Sequence, residues 1–248
     1  MPAFDTHFAA RVRNRLGLPL AGYRDFERPF TGCRGVEIGG PSELLMRRLP
    51  IYGAAQSVDQ INFSANNVWR EAAESSRFKS APALCRGKSI ICDGTNLRGI
   101  GDGHYDFLLS CHNLEHIANP LKALSEWSRV VRSGGHLLLI VPNKHGNFDH
   151  RRPHTAFEHL LEDQQRDVDE GDLTHLAEIL ALHDLARDPA AGNSEQFQAR
   201  SLRNSENRCL HHHVFSLELT LQVLRHIGLE LLHHTTTFAE FIAVGRKP

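Results

Sequence analysis

The chain has 248 residues, 41% hydrophobic and 23% charged, with 28 Lys plus Arg set against 29 Asp plus Glu. This near-neutral balance offers no basic excess for a nucleic acid. No apolar run approaches the roughly 18 residues that cross a bilayer. The start, MPAFDTHFAARVRNRLGL, scatters charges and lacks a signal-peptide core, so a cytoplasmic setting with no membrane partner is expected. Five cysteines without C-x-x-C spacing suggest neither a disulfide framework nor a cysteine zinc site.

Residues 1–30 predict a helical extension, and 31–248 one α/β domain. From Arg34, strands and helices alternate: RGVEI, a helix from Pro41, SVDQI, a polar helix around 65–78, then SIICD. YDFLLSC, a helix from about Pro120 to Val131, and HLLLIV follow, with RSGG as the helix stop. Such continuous apolar strands suit a parallel sheet covered on both faces. Residues 143–213 are polar and rich in His, with helical patterns near 154–165 and 172–187, and read as a mainly helical insertion after strand five. Ser216 is an N-cap candidate for a last helix, and LELLHH and FAEFIAVG close the chain as strands.

The turn GVEIGGPSELL places Gly39 and Gly40 after strand one, where missing side chains let a ligand approach the backbone. The third glycine of G-x-G-x-x-G is absent, and Pro41 removes an amide that a pyrophosphate site would use. A ligand without phosphate fits better than a dinucleotide. Asp59 follows Gly39 at the spacing that lets a carboxylate accept ribose hydroxyls, and Asp93 in ICDGTNL is placed to accept an adenine amino group. Each aspartate alone would equally cap a turn. Two acids behind one glycine turn favour an adenosine site.

Residues 105–143, YDFLLSCHNLEHIANPLKALSEWSRVVRSGGHLLLIVPN, resemble the central block of class I S-adenosylmethionine (SAM)-dependent methyltransferases, type 11-like. There a fourth strand leads to LEH, a helix ends in R-V-L-x-P-G-G, and a fifth strand closes on Pro; Ser133 stands in place of the family proline. The resemblance covers roughly 34–143 and resumes at 214–245. It implies a Rossmann-like, doubly wound, seven-stranded sheet with its last strand antiparallel, and SAM as cofactor. Carried over, Glu37, Gly39 and Gly40 border the methionine moiety. Asp59 holds the ribose with Gln60 beside it among the cofactor-binding residues, Asp93, Gly94 and Thr95 frame the adenine, and Ser110, Cys111 and His112 line the wall.

A hydroxyl acceptor benefits from a base, and His titrates near neutral pH. His112, His116, His145 and His150 are the catalytic candidates. Arg151 and Arg152 could clamp an anionic substrate, and His211 and His213 of HHH would share one face of a strand and meet an acceptor or a metal. Within the insertion, His159 and Asp163 lie a helical turn apart, and His175 one turn before Glu178. Three readings stay open for these groups: a solvated face, an acceptor-binding lid, or a divalent metal site, the last less favoured for want of tight ligand spacing. The leading expectation is methyl transfer to a small-molecule hydroxyl, such as that of a sugar or natural product. Its alternatives are a methyltransferase-fold enzyme running another, metal-assisted reaction, or a non-catalytic SAM-binding subunit.

Overall fold

A computed structural model describes residues 18–64, 78 and 81–248. Residues 1–17 of the expected extension, and all but the last residue of the expected polar helix at 65–78, lie outside these. Helix α1, Tyr23–Glu27, buries Phe26 against the sheet.

Seven strands form one sheet: β1 Arg34–Ile38, β2 Ser57–Asn62, β3 Ser89–Ile91, β4 Tyr105–Cys111, β5 Val131–Pro142, β6 Glu230–Thr236 and β7 Glu240–Arg246. Their order is β3-β2-β1-β4-β5-β7-β6, with β7 antiparallel to both neighbours and the first five strands parallel. Alternate residues of each central strand enter opposite layers, and both layers are apolar. Leu108, Leu137 and Leu139 face one layer, while Phe107, Leu109, Leu138 and Ile140 face the other. That is why these strands read as continuous apolar runs.

The first layer is closed by α4, Pro120–Val130, and α9, Leu217–His226, through Leu121, Leu124, Trp127, Val223 and Leu224. Both helices begin on side-chain caps: Asn119 accepts from the Lys122 amide and Ser216 from the Leu219 amide. The second layer holds the short helices α2, Ile51–Ala54, and α3, Pro82–Cys85. The helix expected from Pro41 is replaced by a single π-helical turn, Leu44–Arg48. The Ser42 amide donates to the Tyr52 hydroxyl and the Ser42 hydroxyl to Glu37, which draws these residues away from a helical first turn.

After β5 the chain leaves the sheet's carboxyl edge. It builds α5 Phe157–Gln165, α6 Leu176–Leu182, α7 Ser194–Ser201 and α8 Asn204–Asn207. Ile179, Ala191, Phe197 and Leu210 give this insertion a small core of its own. The second expected helix, 172–187, is cut to Leu176–Leu182, and α7 and α8 lie where no helix was expected. The capping box of Asn193 and Gln196 starts α7. Among the described residues, no helix is long and apolar enough to cross a membrane.

Candidate active site

The glycine turn sits at the carboxyl end of β1. Gly39 holds φ +78°, and a Cβ there would lie 2.3 Å from the Asn113 side-chain nitrogen. At Gly40 a Cβ would meet the Glu37 carboxyl at 2.1 Å. Both positions therefore exclude side chains, leaving bare backbone at the mouth of the sheet. Glu37 lies beneath, 0% exposed, accepting from Ser42 Oγ at 3.0 Å and from the Tyr52 hydroxyl at 2.5 Å. Burial pushes its pKa up to about 7, outweighing those two donors. Ser110 is level with Ile38 on β4. Among the described residues its buried hydroxyl has no hydrogen-bond partner, nor does the Asn113 side-chain oxygen beside Gly39. Unsatisfied buried polar atoms around a bare turn suit a polar ligand.

Asp59 does not stand at this edge. β2 continues past it to Asn62, and Asp59 is level with Val36 in mid-strand. Its carboxylate accepts from the Lys88 amide at 2.8 Å and from the Tyr105 hydroxyl at 2.9 Å, toward the opposite end of the sheet. Gln60, level with Glu37, also falls short of the edge. Asn62 is the residue at the strand end, its side chain donating to the Gly40 carbonyl at 3.1 Å.

Asp93 follows β3 closely. One oxygen accepts from the Thr95 amide and hydroxyl, and the other from the Arg208 guanidinium at 2.6 Å. Although burial opposes it, Arg208 holds this carboxyl below its usual range. Gly94 receives the Trp127 indole N–H on its carbonyl. Asp93, Thr95, Asn119 and Lys122 line two shallow clefts of about 520 and 400 Å³, whose walls do not include the glycine turn.

Of the catalytic candidates, His112 follows β4 exposed, at φ +50°, its amide donating to Ile140. His116 closes a one-turn 3₁₀ helix, Leu114–His116, with Nδ1 3.1 Å from the Leu210 carbonyl; burial drives its pKa well below the usual value. His145 is exposed, and its carbonyl accepts from Arg187. His150 lies 2.9 Å from Asp184 and is committed there. His112 and His116 are thus the two placed near the insertion's inner face.

The inner face itself centres on His211. Its Nδ1 lies 2.5 Å from Asp149, and its ring packs edge-on against His116 with centroids 4.5 Å apart. Burial lowers the His211 pKa, but the Asp149 carboxylate prevails and holds it above its usual value. Burial would raise Asp149 in turn, but His211 and Arg152 overcome it and hold that carboxyl at about 2. Glu240 and His211 both lie close enough to His112 to act on it electrostatically. Glu115 is buried with neither oxygen hydrogen-bonded among the described residues, and burial raises its pKa to about 7. Ligand atoms of Glu115, His116 and His211 fall within 4.8 Å of one another.

Arg152 is no open anion clamp. It is 1% exposed and spends its donors on Asp149, Glu178 and the His211 and His212 carbonyls. Arg151 is exposed and pairs with Asp184 at 3.4 Å. Nor do His211 and His213 share a strand face, because residues 208–216 form an irregular segment. His211 turns to Asp149 whereas His213 turns to Asp163, with His212 taken by Asn204. The roles of Asp149, Asn62, Asn113 and Arg208 escape a reading of the sequence. Asp149 in DHRR carries a usable signal, since Arg three residues on can hold its carboxylate; Arg208 carries none.

The family model described as a methyltransferase domain matches residues 36–139. No curated protein matches the sequence. Among solved structures, a SAM-dependent methyltransferase from Mesorhizobium loti is similar at 13% identity and a TM-score of 0.53, over 91% of this chain and 96% of that one. One from Methanosarcina mazei is similar at 14% identity and 0.52, over 93% and 99%. An O-methyltransferase family protein from Burkholderia thailandensis shares 11% identity at 0.52, over 96% of this chain and 57% of that one. At these identities the likeness is one of fold. The methyltransferase-domain match runs from β1 to β5, and the strand order 3-2-1-4-5-7-6 completes the Rossmann-like fold that the chain shares with these SAM-dependent methyltransferases.

Proposed function

We propose that the protein transfers a methyl group from SAM to a hydroxyl of a small molecule, a sugar or natural product, held between the glycine turn and the insertion. The observation that carries this is the Asp149–His211 pair, 2.5 Å apart, which the insertion presents beside the end of β4. Bound SAM supplies an electrophilic methyl group on a sulfonium. The Gly39–Gly40 turn, packed against Asn113 and Glu37 where side chains would stand, would present its backbone to it, and the unsatisfied Ser110 hydroxyl and Asn113 oxygen offer polar partners. Asn62 would take the ribose position that Asp59 does not reach. Asp93, Gly94 and Thr95 would frame the adenine once Arg208 yields the Asp93 carboxylate.

The chain's own chemistry is proton removal and alignment. Asp149 accepts from His211 Nδ1, which fixes the tautomer and leaves Nε2 to take the acceptor's proton. Arg152, itself buried among acids and carbonyls, holds Asp149 in place. Cys111 stays a thiol, since burial and nearby carboxylates, Glu37 first among them, push its pKa well above the usual value.

Label transfer from methyl-tritiated SAM to a panel of polyhydroxy acceptors tests the reading. His211→Asn should reduce turnover about 10²- to 10⁴-fold, as loss of a general base does, with S-adenosylhomocysteine (SAH) affinity unchanged. Full turnover in His211→Asn would discard the assigned base. Transfer confined to amines or carbon acids would discard the hydroxyl acceptor.

A further inference from the structure

A second histidine cluster lies apart from the proposed methyl-transfer site. His159 and Asp163 occupy successive turns of α5, His175 caps the start of α6, and His213 belongs to the segment between α8 and α9. One ligand atom from each lies within 4.8 Å of all the others. His159 Nε2 is 2.8 Å from His175 Nε2 and 3.2 Å from Asp163 Oδ2, and His213 Nε2 is 3.7 Å from that same oxygen. Four ligands around a tetrahedral zinc, with bonds of about 2.0–2.1 Å, stand about 3.3–3.4 Å apart. The observed spacings bracket that value.

We infer that His159, Asp163, His175 and His213 form a closed, tetrahedral site for a divalent zinc ion that ties the insertion together. Polar satisfaction points the same way. Asp163 is 1% exposed, and among the described residues neither of its oxygens accepts a well-formed hydrogen bond. A buried carboxylate in that state is costly unless a cation meets it. One N–H···N bond between His159 and His175 can satisfy those two nitrogens but leaves the Asp163 carboxylate without a donor from His175. A central cation accepts every converging lone pair at once.

The surroundings are built for such a centre. The Asp163 carbonyl accepts from the Asn119 side chain, anchoring one ligand residue to the turn that opens α4, while the Ala118 carbonyl 3.1 Å from His213 Nε2 is a contact that ligation would replace. His159 and His175 are only half-buried, which leaves the ion a way in. All four ligands come from the chain, so the site has no open position for substrate and serves structure. It fixes His213, two residues from the Asp149-bound His211, and thereby the register of the HHH segment.

The test is elemental analysis of untagged full-length protein, purified without metal-affinity resin, with cobalt substitution of the chelator-stripped form. One zinc per chain and the visible absorption of tetrahedral cobalt are expected. His175→Gln and Asp163→Asn should each reduce zinc to background and abolish the cobalt spectrum, while His116→Gln, which alters the other histidine cluster, keeps both. Unfolding curves show whether each variant is folded. Metal-free protein whose stripped form binds no cobalt overturns the inference, as does full zinc content in His175→Gln or loss of zinc in folded His116→Gln.

Discussion

At the scale of single residues the site is governed by what lies under the glycine turn. Gly39 combines φ +78° with a neighbour 2.3 Å from any added Cβ, so Gly39→Ala should cost about 1–2 kcal/mol in urea unfolding. Glu37 makes a pH prediction. Its folded pKa of about 7 lies above the carboxylate reference of 4.5. Between those values the folded protein binds a proton that the unfolded chain has released. Its contribution is therefore fully present below about 4.5 and is lost as pH rises toward 7 and beyond, with a slope of at most about 1.4 kcal/mol per unit. Glu37→Gln should flatten the fall in urea midpoint between pH 5 and 8; an unchanged slope would show that Glu37 does not carry it. The same scale shows where sequence misleads. Counting along the chain from Gly39 puts Asp59 at the rim, yet β2 runs on to Asn62, because spacing along a chain does not say where a strand stops. Arg152 reads as a clamp because two adjacent arginines look alike until one is found buried.

At the scale of elements, the insertion and the sheet meet through Arg208, which bridges Asp93 and Glu170 from the segment after α8. The strands were legible because their apolar runs report two covered faces. The LEH turn and capped helices were legible because caps are local. The insertion's partners were not. His159 and Asp163 show helical spacing, but His175 and His213 reach them only through tertiary folding, and no local pattern records that. Arg208 also carries a prediction. Arg208→Gln releases the Asp93 carboxylate for an adenine amino group, so SAH should bind several-fold more tightly, in line with about 1 kcal/mol for a partly exposed pair. Equal affinity in a calorimetric titration would show that Asp93 meets no ligand.

At the scale of the whole molecule, a parallel sheet with an antiparallel end strand supplies a rim, and the insertion leaves the sheet at that rim, after β5. The fold follows from the order of strands and turns. In the proposed reaction, the acceptor chemistry depends instead on where the insertion places Asp149 and His211. A ligand bound only by the folded state should stabilise the protein, by about 2.7 kcal/mol at 100 times its Kd. Calorimetric titration of SAH into the wild-type protein and folded Gly39→Ala tests the cofactor site most directly. One saturable site per chain is expected, with affinity at least tenfold weaker in Gly39→Ala. No saturable binding to the wild type, or equal affinity in the variant, would contradict a cofactor seated on the glycine turn.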